Sequence, residues 1–166
     1  MITDFDKAMG VLCGAGIEFV VIGGVAGSLH GSAIITQDLD VVYARSRENI
    51  RRLAAALQPY RPYLRNAPEG LPFRWDEATI RNGLNFTLDT SFGDLDLLGE
   101  VVGGGSYSDL FPRSREVSGF GVAFRLVDLE LLIVMKRAAG RPKDLQAVAE
   151  LQGILERRRK LPSPES

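Results

Sequence analysis

The chain has 166 residues, of which 45% are hydrophobic and 25% are charged, and this is the composition of an ordinary globular protein. Its length predicts one domain with a substantial core and excludes a separate large substrate domain. The 20 basic and 21 acidic residues give a net charge of -1, which excludes a global electrostatic attraction to nucleic acid or membranes. Binding to RNA would therefore need a local basic patch.

Three local features indicate where the protein resides. Asp4 and Asp6 stand where a secretory signal would carry basic residues before an apolar core. The single cysteine, Cys13, cannot form an internal disulfide and is expected to pack as a small buried apolar residue. The segment 19–35 is nearly uncharged, but its glycines and polar residues disfavour a membrane span. We therefore predict a cytoplasmic protein that does not enter the membrane.

The first elements in chain order are a helix, a strand, a glycine turn and a short second helix. Apolar spacing predicts an amphipathic helix over residues 4–15, and an apolar run predicts a strand over 19–22. Gly23 and Gly24 end this strand at a sharp turn. A glycine turn that leads into a helix directs unpaired N–H groups and the positive end of the helix dipole at whatever binds above it. A phosphate is the obvious ligand for such a turn.

Two aspartates stand near the start of the next predicted strand. Side chains alternate along a strand, so the carboxylates of Asp38 and Asp40 leave one face while Leu39 and Val41 point to the other. Two neighbouring carboxylates repel each other unless a cation lies between them. The pair therefore predicts a cation site.

The middle of the chain contains a helix and a loop. Ser46 is predicted to cap a helix that ends before Pro59, and proline spacing predicts a loop from there to Pro72 that is mobile or borders a cleft. Cations and aromatic rings alternate around this loop: Arg61, Arg65 and Arg74 with Tyr60, Tyr63, Phe73 and Trp75. Two interpretations are open, because such residues can stack on and neutralise a nucleic acid, or the rings can anchor the loop on the core while the arginines stay in water.

The last part of the chain predicts strands followed by helices. The predicted elements are strands at 85–89 and 94–98, a flexible glycine connection at 103–105, a hairpin of 114–118 with 122–127, and helices at 129–139 and 142–159. The mixed order predicts an α/β or α+β fold with helices packed on a short mixed sheet. We predict a single domain over residues 1–160 and a disordered tail at 161–166. The basic run 157–160 is expected to complement the helix dipole, with RNA contact as the alternative.

The predicted strand at 94–98 offers a third carboxylate for the cation site. Asp94 and Asp96 share a face, so either can reach the first pair. We favour Asp96, because apolar neighbours place it well inside a buried strand, where a carboxylate needs a partner. His30 is expected to be a structural residue at a helix end.

Together these features resemble the DNA polymerase β-type nucleotidyltransferase superfamily, and most closely its small prokaryotic members, many of which belong to toxin–antitoxin or phage-defence systems. The resemblance covers roughly residues 15–155. It rests on the following segments: an apolar residue before Gly23-Gly24, 13 intervening residues, Asp38-Leu39-Asp40, the later Asp96 between apolar residues, His30-Gly31, Thr36, and the run Leu132–Leu145.

The resemblance implies metal-dependent transfer of a nucleoside monophosphate from an NTP to a hydroxyl of RNA, protein or a small molecule. Its catalytic, metal-binding residues would be Asp38, Asp40 and Asp96, which would hold two Mg²⁺ (or Mn²⁺) ions. Its nucleotide-binding residues would be Gly23, Gly24, Ser28 and Lys136. Lys136 falls on an apolar helix stripe, so it either contacts the leaving phosphates or lays its stem along the core with its ammonium in water.

Two positions depart from the pattern of this superfamily. Ile34 stands where related sequences often carry an arginine, and Ala147 stands where they often carry a second aspartate. Neither change removes a presumed metal ligand. A second hypothesis is therefore a non-catalytic nucleotide-binding or antitoxin-like interaction module on the same fold, with a cognate toxin or antitoxin as its partner.

Overall fold

The computed structural model describes residues 2–161, so the tail predicted at 161–166 lies outside the described residues except for Leu161. The helices are α1 (Phe5–Gly14), α2 (Gly23–Leu29), α3 (Arg47–Leu57), α4 (Glu77–Asn82), α5 (Tyr107–Leu110), α6 (Leu129–Ala139) and α7 (Pro142–Lys160). The strands are β1 (Phe19–Ile22), β2 (Leu39–Tyr43), β3 (Tyr63–Leu64), β4 (Asn85–Thr90), β5 (Gly93–Leu98), β6 (Glu100–Val101), β7 (Gly105–Ser106), β8 (Ser114–Gly119) and β9 (Val122–Val127).

One mixed sheet of seven strands forms the centre of the molecule, in the order β3-β4-β5-β2-β1-β9-β8, while β6 and β7 form a separate pair. The middle strand, β2, runs parallel to β5 and antiparallel to β1, and β1 runs parallel to β9. Apolar faces of α1, α3, α6 and α7 join the inward strand side chains in one core. This arrangement confirms the predicted fold class of helices packed on a mixed sheet.

The register of the three central strands brings distant segments into line. Asp40 on β2 lies opposite Ile22 of β1 on one side and opposite Asp96 of β5 on the other. All four residues of β1 are buried, which accounts for its uninterrupted apolar sequence. Since α2 begins at Gly23, directly after β1, the glycine turn and the aspartates lie at one edge of the central sheet.

Capping side chains and a glycine define the ends of several helices, and the predicted cap Ser46 is confirmed. Asp4, Ser46 and Asp76 each accept a hydrogen bond from the backbone N–H three residues later, which fixes the starts of α1, α3 and α4. Gly140 ends α6 in the left-handed conformation, with a φ of 68°. Within residues 2–161, no helix combines the length and the apolar composition that crossing a membrane requires.

His30 joins the end of α2 to β9 and α7. It is the C-cap of α2, and only 4% of its surface is exposed. Its Nε2 lies 2.7 Å from the carbonyl oxygen of Val127, while Arg158 lies 3.1 Å from its Nδ1 and donates to its carbonyl oxygen at 2.8 Å. The structural role predicted for His30 is therefore confirmed. Arg158 does more than complement the helix dipole, because it attaches α7 to α2.

Two short elements, β3 and α4, occur where the sequence shows no periodicity. β3 lies inside the predicted proline-rich loop, and α4 follows that loop.

The glycine run predicted to be flexible instead packs closely on α6. A Cβ at Gly103 would lie 2.8 Å from Cβ of Ala138, and one at Gly104 would lie 2.5 Å from Sδ of Met135. The prediction of flexibility is corrected here, because these glycines permit close packing of the backbone on a helix.

Candidate functional site

Three carboxylates meet on the central strands β2 and β5, near the start of β2. Asp38 directly precedes β2, Asp40 lies on β2, and Asp96 lies opposite Asp40 on the parallel strand β5. One oxygen from each carboxylate lies within 4.8 Å of the others. Asp94 is not a member of this set; it lies opposite Asp89 on β4. An all-oxygen set of this size is the kind of ligand group that hard divalent cations such as Mg²⁺ and Mn²⁺ prefer.

The environment of Asp40 disfavours its ionised form. Burial raises the pKa of Asp40 well above its usual value, and the negative charges of Asp96 and Asp38 raise it further. Oδ1 of Asp40 is buried and has no hydrogen-bond partner among the described residues, whereas the buried Oδ1 of Asp96 lies 2.9 Å from NH2 of Arg65. A cation bound to Oδ1 of Asp40 would offset the repulsion among the carboxylates and satisfy this atom. The residues present therefore fit a divalent cation.

The two glycines of the turn allow α2 to lie directly against the carboxylate cluster. Gly23 has a φ of +69°, and a Cβ at this position would lie 2.8 Å from Cγ of Asp40. A Cβ at Gly24 would lie 2.7 Å from Cβ of Thr36, in the segment that leads to β2. Both contacts are too short for any side chain, so the site itself requires glycine at both positions. A phosphate-binding role for this turn stays a prediction.

A cavity of about 300 Å³ opens next to the carboxylates. Its lining comes from two parts of the chain: Gly24, the segment 34–37, Asp38 and Asp40 from the first, and Lys136, Arg141, Lys143, Asp144 and Ala147 from the second. The cavity is thus lined by both carboxylates and cations. Ser28 is exposed one turn further along α2 and is not one of the residues that line the cavity.

The two cations Lys136 and Arg141 line the cavity in different surroundings. Burial lowers the pKa of Lys136, although the charges of Asp144 and Asp40 act in the opposite direction. Nε of Arg141 donates to Oδ2 of Asp144 at 2.6 Å, and Asp144 is only 3% exposed. Burial raises the pKa of Asp144, but the bond and charge of Arg141 outweigh it, so the net pKa is lowered. Asp144 is therefore held in its ionised form and fixes Arg141 at the cavity.

Arg65 is the site residue that the sequence did not single out. It directly follows β3, and its guanidinium contacts four carboxylates: NH2 to Oδ1 of Asp96 at 2.9 Å, Nε to Asp89 and Asp94 at 3.4 Å each, and NH1 to Oδ2 of Asp38 at 3.8 Å. Burial lowers the pKa of Arg65, but the charges of Asp96 and Asp94 outweigh it, so the net pKa is raised. The interpretation that the loop arginines stay in water is therefore wrong for Arg65.

The aromatic rings of the same loop anchor it on the core, as one of the two interpretations predicted. The rings of Tyr63 and Phe73 meet edge to face with centroids 5.9 Å apart, and those of Trp75 and Phe86 do so at 5.7 Å. Trp75 is only 5% exposed. These rings are packed against each other, which holds β3 and Arg65 in place beside the carboxylates.

No family model and no curated protein matches this chain in the comparisons made with it. A solved structure is similar: the crystal structure of the lincosamide antibiotic adenylyltransferase LnuA with lincomycin bound. The TM-score is 0.60 at 11% sequence identity, and the match covers 92% of this chain and 98% of the other. At this identity the likeness shows the fold alone. The chain thus has a nucleotidyltransferase fold, with a carboxylate triad at one edge of its central sheet.

Proposed function

We propose that the protein transfers a nucleoside monophosphate from an NTP to a hydroxyl group in a reaction that needs a divalent cation. The observation that carries this proposal is the meeting of Asp38, Asp40 and Asp96 beside a cavity that Lys136 and Arg141 also line. The carboxylates suit a metal ion, and the cations suit the phosphates of a nucleotide. The activity named for the structural neighbour, adenylyl transfer, supports the same reaction class.

The roles of the residues follow from their places around the cavity. Mg²⁺ or Mn²⁺ held by the three aspartates would neutralise charge on the phosphates and on the acceptor oxygen. Lys136, which lines the cavity from α6, would hold the β- and γ-phosphates. Gly23 and Gly24 would let the phosphates approach the backbone, and Ser28 would add a hydroxyl from the same helix.

The transfer itself exchanges one bond for another at the α-phosphorus. The acceptor oxygen bonds to this phosphorus while the bond from the phosphorus to the α,β-bridging oxygen breaks, so pyrophosphate leaves towards Lys136. Asp96 orients the acceptor hydroxyl and takes up its proton. We assign the proton to Asp96 because it lies on β5, on the side of Asp40 away from β1 and the glycine turn.

For the acceptor we propose a small molecule with a free hydroxyl group. The structural neighbour is named as an antibiotic adenylyltransferase and was solved with lincomycin, which supports this class over RNA or protein. A toxin or antitoxin partner rests on the resemblance of the sequence alone.

The test is transfer of label from each of the four α-³²P-labelled NTPs, with Mg²⁺, to lincosamides, aminoglycosides, tRNA and protein. We expect Asp40→Asn to lower transfer by at least about 100-fold, the scale of losing a transition-state electrostatic contact. Asp6→Asn removes a carboxylate of the exposed face of α1 and is the matched control. Equal transfer by the wild type and Asp40→Asn would refute the proposal.

One observation favours a second function, nucleotide binding without catalysis. The contact of Arg65 with Asp96 neutralises part of the cluster by a cation of the chain itself. Calorimetry with NTP and Mg²⁺, combined with an assay of pyrophosphate release, separates the two functions. Binding without pyrophosphate release for every acceptor would establish the non-catalytic function.

A further inference from the structure

Arg65 is fixed beside the carboxylate cluster from the side of the sheet. Its backbone N–H donates to the carbonyl oxygen of Thr87 at 2.9 Å, which extends the pairing of β3 with β4. Its NH2 group donates to the carbonyl oxygen of Leu88 at 2.8 Å, and only 15% of its side chain is exposed. The guanidinium is thus a built part of the site and not a surface charge that happens to lie near it.

The contacts of Arg65 divide the cluster into two sides. Asp89, Asp94 and Asp96 lie on the side of β4 and β5 and are 2.9–3.4 Å from the guanidinium. Asp38 is more distant, at 3.8 Å, and Asp40 makes no contact with it within 4.0 Å. The Asp38–Asp40 side faces the cavity, because both residues line it.

A guanidinium and a divalent cation exclude each other from the same few ångströms. Arginine keeps its charge at any ordinary pH, so it cannot make way for a metal ion by losing a proton. Movement into water would break the bond to Leu88 and leave Asp89 and Asp94 without their cation. The side of the cluster next to Asp96 therefore already holds a positive charge.

We propose that Arg65 takes the place of one of the two metal ions that the sequence resemblance implied. The cluster then binds one divalent cation, on the Asp38–Asp40 side, and Arg65 supplies the second positive charge next to Asp96. This inference rests on the proposed function. It assigns Arg65 as a positioning residue, which holds Asp96 towards the acceptor hydroxyl.

The test is the number of Mn²⁺ ions bound per chain, measured by the electron paramagnetic resonance signal of free Mn²⁺ at increasing metal concentration. We expect one ion for the wild type and for Arg65→Lys, which keeps the charge. We expect two ions for Arg65→Met, which removes the charge with little change in length. Arg61→Met, at an exposed arginine of the same loop, is the control and should bind one ion.

The outcomes separate this inference from the proposed function. Two ions in the wild type, or one ion in a folded Arg65→Met, would overturn the inference alone. No Mn²⁺ bound by the wild type, or binding that Asp40→Asn leaves unchanged, would overturn the metal-dependent function as well. Circular dichroism shows whether Arg65→Met folds. If this variant does not fold, the number of Mn²⁺ ions bound by the wild type decides the inference.

Discussion

Asp40 shows how a single side chain can weaken the fold for the sake of a site. Its folded-state pKa lies above the usual 3.8, so the folded protein binds more protons than the unfolded chain in this range. In the absence of metal, the free energy of unfolding therefore falls as the pH rises from 3.8 through the raised pKa. The cost of ionising this buried carboxylate is complete only above its raised pKa.

Replacing this carboxylate should stabilise the metal-free protein. We expect Asp40→Asn to raise the free energy of unfolding in EDTA at pH 7 by about 0.5–2 kcal/mol, as is common when a destabilised functional residue is removed. The same substitution should abolish the stabilisation of the protein by Mg²⁺. Urea unfolding in EDTA and in Mg²⁺ measures both effects, with Asp6→Asn as control. A less stable Asp40→Asn protein in EDTA would contradict the prediction.

His30, the only histidine of the chain, gives stability a pH dependence of opposite sign. Burial lowers its pKa from the usual 6.5; the bond to Val127 partly offsets this, and the charge of Arg158 lowers the pKa further. The unfolded chain therefore binds more protons below pH 6.5, so this contribution to stability is lost as the pH falls from 6.5 through the lowered pKa.

Substitution of His30 tests this dependence. His30→Gln keeps a polar side chain but cannot take up a proton, so we expect its urea midpoint to fall less than that of the wild type between pH 7 and pH 5. The overall stability of the variant should drop, because the contacts with Val127 and Arg158 are altered. Parallel pH profiles for the two proteins would show that His30 is not the titrating group.

At the scale of elements, the start of α2 is constrained by what lies behind it. Gly23→Ala forces both a left-handed backbone and a contact with Asp40, whereas Gly121, with a φ of +78°, has nothing within 4 Å of its missing Cβ. We expect Gly121→Ala to cost about 1–2 kcal/mol from backbone strain alone. Gly23→Ala should cost about 1–3 kcal/mol more through overpacking.

The two alanine variants are compared by urea unfolding with and without Mg²⁺. Gly121→Ala should keep the stabilisation by Mg²⁺, and Gly23→Ala should lose most of it, because Asp40 must shift. Similar losses of stability in the two variants would mean that the contact between Gly23 and Asp40 is relieved without cost.

The elements that the sequence could predict are those with a clear period or a clear stop. The alternation around Asp38 and Asp40 and the apolar flanks of Asp96 were enough to predict three carboxylates on common strand faces. Arg65 could not be predicted in the same way. It meets Asp96 only because β3, β4 and β5 are adjacent in the sheet, and a strand of two residues has no period by which its register can be recognised.

For the molecule as a whole, the distribution of charge matters more than the net charge of -1. The cations Lys136, Arg141 and Lys143 line the same cavity as Asp38 and Asp40, and Lys136 is the half-buried member of that set. The metal ion of a bound nucleotide would neutralise the carboxylates of the cavity, and the phosphates of the nucleotide would neutralise its cations.

Removal of the Lys136 charge should weaken nucleotide binding. We expect Lys136→Met to raise the Kd for NTP with Mg²⁺ by about 10- to 100-fold, the effect of losing one charge-assisted hydrogen bond of roughly 1.5–3 kcal/mol. Arg137→Met, at the exposed neighbouring position on α6, is the matched control and should leave the Kd unchanged. Calorimetric titration measures both. Equal affinities for all three proteins would place the phosphates elsewhere.

The parallel register of β2 with β5 also has a consequence for the folding pathway. Asp40 and Asp96 belong to segments far apart in the chain, and they become neighbours only when the central strands have paired. The unfolded chain carries the same aspartates without a common binding place, so metal affinity develops late in folding. Metal ions should therefore slow the unfolding reaction and leave the folding rate almost unchanged.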